Sequence, residues 1–319
     1  MTKNPTKNNL KSTSVGQKLS FLFTCFCCIL VFLISLFASD KIAHSVKSAL
    51  SLSANVIIPS VFPFIVISDF LYSYMSFSSA KRLGGLFEKT FKINRMGLYP
   101  FILGILCGFP LGVKCTSELY RDGKISRDEA ERLIGFCNNT GPAFLVSGIG
   151  LGLRGSVKDG LILYFVMVLS AIITGFAFSV GAAPSESSRK ENRSTSFSFT
   201  SSIKNAGINT LNICSYLTFF ACIVGILRNT LGENPLYLSV IPFLEVGSAT
   251  SILSKTKLLS SGISLALSSF AVGFSGISVH LQALSFISDT DIKARRYFLM
   301  KLTQGGISFA LTYAAYLLL

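Results

Sequence analysis

Residues 20–38, SFLFTCFCCILVFLISLFA, carry no charged side chain. A helix of about 20 apolar residues spans the hydrocarbon of a bilayer, and water offers such a run no equivalent shelter. Similar stretches recur near 54–75, 97–117, 158–180, 203–228, 258–282 and 297–319, with a weaker one at 236–253. The pattern predicts an all-α polytopic membrane protein of about eight transmembrane helices. The run at 20–38 exceeds the apolar core of a secretory signal (about 7–15 residues), so it reads as an uncleaved anchor.

Charge agrees with this class. Only 14% of residues are charged, against roughly 25% in soluble domains. The formal net charge is +14. In a membrane protein that excess belongs to cytoplasmic loops facing anionic lipid, and no nucleic-acid partner is implied. Lys3, Lys7, Lys11 and Lys18 place the tail 1–19 in the cytoplasm, and the basic residues of 77–96 belong on the same side. The eight cysteines lie in apolar segments without His or acidic co-ligands, so neither a metal site nor a disulfide framework is expected. No cofactor is implied.

Residues 181–202, GAAPSESSRKENRSTSFSFTSS, form a polar linker between a first membrane half, 20–180, and a second, 203–319. The halves echo each other. CGFPLGVK at 107–114 aligns with VGFSGISV at 272–279, and FCNNTGPAF at 136–144 with KLTQGGISF at 301–309, both displaced by 165 residues. Each half therefore holds a glycine-interrupted apolar segment, a charged stretch, a polar pair (Asn138–Asn139, Thr303–Gln304) and a glycine. Transporters are often built from two such repeats, with substrate held where helices break.

The expected backbone breaks are Gly108, Pro110 and Gly112, Gly141 and Pro142, and Gly273 and Gly276. Pro lacks the N–H that continues a helix, and Gly tolerates unusual backbone angles. In 126–150, Ser126 and Glu129 form a capping box that starts a helix. That helix runs into Asn138–Asn139 and stops at Gly141–Pro142, the shape of a re-entrant hairpin. The amides read either as substrate contacts or as caps of the broken helix. Lys114 reads either as a functional intramembrane cation or as a snorkelling side chain near a span end. His280 and Gln282 sit in an uncharged stretch, where the histidine could relay protons or simply pack in the core. Glu245 is a lone acid between Pro242 and Gly247. It suits a coupling ion, a donor on a solute, or a partner on a neighbouring helix.

No enzyme is expected. HExxH, P-loop and paired-carboxylate motifs are absent. The GFSG at 273–276 suggests a serine nucleophile only if a histidine stands opposite on another helix, and His280 lies on the same segment.

At these residues the chain resembles the YlbJ-type sporulation integral membrane proteins, which carry a nucleoside recognition (gate) domain. The carriers are PSVFPFIVISDFL (59–71), GFPLGVK (108–114), GKISRDEAERLIGFCNNTGPAF (123–144), FLEVGSAT (243–250) and SFAVGFSGISVHLQALSFI (269–287). The resemblance implies a fold like that of concentrative nucleoside transporters, with two re-entrant hairpins. It implies a multi-pass protein of the outer forespore membrane that moves dipicolinic acid from mother cell toward forespore. Substrate contacts carried over are Asn138, Asn139, Lys114, Glu245, His280 and Gln282. CNNTGP stands where the family pattern has Asn-Asn-Ala-Ser-Pro, and EVGSAT where it has a Glu-x-Thr-x-Gly type. The expected partners are thus a small organic anion or nucleoside-like solute and the bilayer, with a homo-oligomer left open. The alternatives are a nucleoside transporter and a non-transporting scaffold for spore cortex assembly.

Overall fold

A computed structural model describes residues 39–74, 81–185 and 198–318; the span expected at 20–38 and the tail 1–19 lie outside them. The described chain is helical, with no strand among its described residues. In chain order the α-helices are α1 (Ser39–Leu52), α2 (Ile58–Tyr74), α3 (Lys81–Phe91), α4 (Leu98–Leu106), α5 (Leu111–Arg121), α6 (Arg127–Cys137), α7 (Val157–Ala177) and α8 (Phe199–Leu231). They continue with α9 (Pro235–Leu244), α10 (Val246–Lys255), α11 (Ser261–Phe274), α12 (Gly276–Ile287) and α13 (Ala294–Leu318). π-helical turns join α1 to α2 (Ser53–Ile57) and lead from the α6 break to α7 (Ala143–Leu153).

The chain is an all-α membrane protein. Among the described residues, Val157–Ala177, Phe199–Leu231 and Ser261–Ile287 are long and apolar enough to cross a bilayer. Of the five other expected spans, the one at 20–38 lies outside the described residues, and two fall short for a local reason. The expected spans at 97–117 and 236–253 are each cut in two, leaving helices of 9, 11, 10 and 10 residues. A 10-residue helix rises only about 15 Å, half the hydrocarbon thickness. Along α7, Phe165, Leu169 and Phe176 are exposed, an apolar face suited to lipid.

The breaks follow from residue chemistry. α4 stops before Gly108, whose φ of +90° suits glycine, and Pro110 then opens α5. α6 begins with the expected capping box and ends at Asn138 and Asn139. Glu245 is extended between α9 and α10, and Ser275 takes a left-handed turn between α11 and α12.

Two expected breaks are corrected. Gly112 lies inside α5 and Gly273 inside α11. Both serve close approach instead. A Cβ on Gly112 would overlap the Cys137 carbonyl, as would one on Gly104. A Cβ on Gly273 would sit 3.0 Å from Gln304 O. Nor does the second copy break at its polar pair: α13 runs unbroken through Thr303–Gln304–Gly305. That stretch has no proline, and Gly305 instead lets α13 lie against Phe270 and Phe274.

The order helix, break, helix, charged turn, helix thus occurs in α4–α5–α6 and again in α11–α12–α13. The counterparts meet: α5 packs on α12, and α6 on α13. A core of Phe87, Phe91, Phe101 and Phe136, with ring centroids 4.8–6.2 Å apart, backs the first copy.

Candidate functional site

The breaks assemble in pairs. Gly108 lies against Gly141 so closely that an added Cβ would stand 2.7 Å from the Gly141 nitrogen. Gly276 likewise lies against the Leu244–Glu245 peptide, with an added Cβ 3.1 Å from Leu244 O. Gly108 and Gly141 of the first pair and Glu245 of the second line one cavity of about 50 Å³. Gly108, Phe109, Thr140 and Gly141 contribute from the first copy, Ser278 and Gln282 from the second, and Glu245 and Gly247 from the break between α9 and α10. Apolar side chains of α1, α2 and α8, including Leu52, Val61 and Leu217, close the remaining side. Irregular backbone survives at membrane depth only where protein or a cavity satisfies it, and here it borders a cavity.

Glu245 is the acid in this wall and is 2% exposed. Its carboxylate accepts from Gly247 N at 2.7 Å and from Ser248 N, so it caps α10 at the positive end of the helix dipole. Thr140 Oγ1 and Gln282 Oε1 are buried, lie on cavity-lining residues and have no hydrogen-bond partner among the described residues. Among the described residues, no Lys, Arg or His lines the cavity.

Behind the wall lies a second polar cluster, fully enclosed. Lys301 Nζ donates to Asn138 O and to Gln304 Oε1, both at 2.8 Å. Gln304 Nε2 donates to Asn139 Oδ1 at 2.9 Å, and Asn139 Nδ2 donates to Phe136 O at 2.7 Å. Asn138 Nδ2 donates to Tyr297 OH, which also bonds His280 Nδ1, each at 2.9 Å. Asn139 thus satisfies the Phe136 carbonyl freed where α6 ends, and the amide pair ties that end to α13 and, through Tyr297, to α12.

The expected site residues divide accordingly. Glu245 and Gln282 border the cavity; Asn138, Asn139 and His280 lie in the enclosed cluster. Lys114 joins neither: its Nζ pairs with Glu118 at 2.8 Å along α5. Lys301 and Tyr297 escaped the sequence reading. The available signal was a lysine inside the apolar run 297–319, aligned by the 165-residue displacement beside the Asn pair.

At the end of the bundle where the charged turns meet, ion pairs join the copies. Arg121 binds Asp289 at 2.5 Å and Phe286 O at 2.8 Å. Asp291 accepts from Tyr120 at 2.5 Å and from Arg127 at 3.1 Å, and Arg296 binds Asp128 at 2.6 Å. The Arg121 hydrogen bond holds Asp289 below the usual carboxylate range, and the Tyr120 hydrogen bond does the same for Asp291. Burial pushes Asp128 upward, but Arg296 and Arg132 together outweigh it and leave it lowered.

Comparison with known proteins accords with the resemblance. The chain is 26% identical over 311 aligned residues to the sporulation integral membrane protein YlbJ of Bacillus subtilis (strain 168), covering 81% of this chain and 74% of that protein. This similarity supports the YlbJ-type assignment. No family model matches the chain. No solved structure matches it.

Proposed function

We propose that this YlbJ-like membrane protein carries a small polar solute across the bilayer during sporulation, in the outer forespore membrane, and that dipicolinic acid is its candidate cargo. One observation supports the reading above others: the helix breaks of the first copy and the break at Glu245 border a single cavity, beside Ser278 and Gln282 of the second copy. A scaffold has no need of such an arrangement, whereas a carrier needs walls able to part. At about 50 Å³ the cavity holds little more than a few waters, so carriage requires the paired breaks to separate.

The lining constrains the charge state of the cargo. A carboxylate stands in the wall, and among the described residues no cation lines it. A bare dianion would be repelled in this low-dielectric setting. Dipicolinic acid therefore travels with its charge neutralised, by protons or by a bound cation. Glu245, Gln282 and Thr140 equally suit a solute rich in hydroxyl and N–H donors, and this favours a nucleoside-like cargo as the second reading.

Reconstituted vesicles given labelled dipicolinate and labelled uridine in parallel, over a range of pH and with and without divalent cation, test both readings. Uptake of dipicolinate that rises as its charge is neutralised supports the first, and uptake of uridine alone supports the second. No uptake of either solute by correctly folded protein removes both.

A further inference from the structure

Lys301 is 0% exposed, and among the described residues no carboxylate lies within ion-pair distance of it. The titratable groups around it are Cys137 on α6, His280 on α12 and Tyr297 on its own helix. None is an acid of the kind that ordinarily accompanies a buried ammonium. What the ammonium meets instead is oxygen. It donates to the main-chain carbonyl of Asn138, which caps the C-terminal end of α6, and to the side-chain oxygen of Gln304. Asn138 Oδ1, on the same capping residue, is buried without a hydrogen-bond partner among the described residues. The end of a helix carries roughly half a negative charge, and carbonyl and amide oxygens are the ligands chosen by hard monovalent cations.

We propose that Lys301 is a tethered cation. Its ammonium occupies the place at the α6 terminus where a bound alkali-metal ion would otherwise neutralise the helix end, and it closes the junction between the two copies without inorganic cation. This goes beyond the transport reading and does not depend on it, because the junction is structural whether or not a solute crosses.

The test is thermal unfolding of the purified full chain in detergent, in sodium, potassium and choline chloride at equal concentration. The wild-type chain has one Tm in the three salts. Lys301→Ala deletes the ammonium and leaves the oxygens with room around them. Its Tm falls, and sodium or potassium recovers about 2–4 °C relative to choline. Lys301→Ser behaves alike. Lys301→Met fills the same volume with an apolar chain and gains no response to cation. A wild-type Tm raised by sodium or potassium over choline overturns the proposal. So does a Lys301→Ala chain indifferent to the cation, or a Lys301→Met chain that responds as the alanine variant does. If neither small variant folds, the wild-type comparison decides alone.

Discussion

Gln304 Nε2 donates to Asn139 Oδ1 at 2.9 Å, and the two residues are 165 positions apart. That is the displacement at which the two copies of the sequence pattern align. Aligned residues that touch each other lie close to the axis relating their copies, as self-complementary contacts do in two-fold oligomers. The packing of α5 on α12 and of α6 on α13 follows the same relation. The amide pair therefore stands where the two copies are joined, and residues of both line the cavity.

The Asn139–Gln304 bond should be energetically coupled. Asn139→Ala and Gln304→Ala each leave a buried amide partner unmet, at about 1–3 kcal/mol. The double variant should cost less than the sum, by about 0.5–2 kcal/mol. Unfolding of the four proteins in a double-mutant cycle reads this directly; strict additivity would break the link drawn between these residues.

Glu245 has two separable roles. Glu245→Ala removes the α10 cap and should lower stability by about 0.5–2 kcal/mol. Glu245→Gln keeps an acceptor for Gly247 N but removes the charge from the cavity wall. If the charge selects the cargo, the glutamine variant changes solute preference or uptake with a smaller change in Tm than the alanine variant. Unchanged uptake in Glu245→Gln would assign the residue to capping alone.

Glycines differ by place. Gly108→Ala and Gly276→Ala meet both positive φ and a crowded backbone, so each should destabilise by about 1–3 kcal/mol or prevent folding. Gly207→Ala and Gly306→Ala meet open space inside helices and should be neutral or stabilising by up to about 1 kcal/mol. Yield and Tm of the four variants rank them, and a Gly108→Ala chain as stable as Gly306→Ala would refute the close packing of the breaks.

The ion pairs between the copies should respond to acid in a stated direction. Asp128, Asp289 and Asp291 titrate lower when folded than when unfolded. Their contribution is fully present above the unfolded carboxylate range and is lost as pH falls through the lowered folded values. Hydrogen exchange in 286–296 should therefore be level from about pH 5 to 8, after correction for the intrinsic rate, and protection should fall below about pH 4. High salt should loosen the same region, since these pairs are largely exposed. Protection that rises on acidification would contradict the assignment.

The amino-acid sequence determined the class, the helix start at Ser126 and the breaks near 108–110, 138–142 and 276, because these depend on local chemistry: charge-free runs, a Ser126–Glu129 cap, a proline without an N–H. It marked Gly112 and Gly273 as breaks, because a glycine that admits a neighbouring backbone and one that turns the chain look the same in a string. Only the tertiary structure decided between these uses, since the deciding atoms, the Cys137 carbonyl and Gln304 O, come from distant helices. The same holds for the polar residues. Glu245 and Gln282 border the cavity, Asn138 and Asn139 hold the junction, and Lys114 pairs along its own helix. Lys301 matters because packing strips it of water and surrounds it with oxygen. Desolvation is a property of the assembled neighbours, and no single segment of sequence contains it.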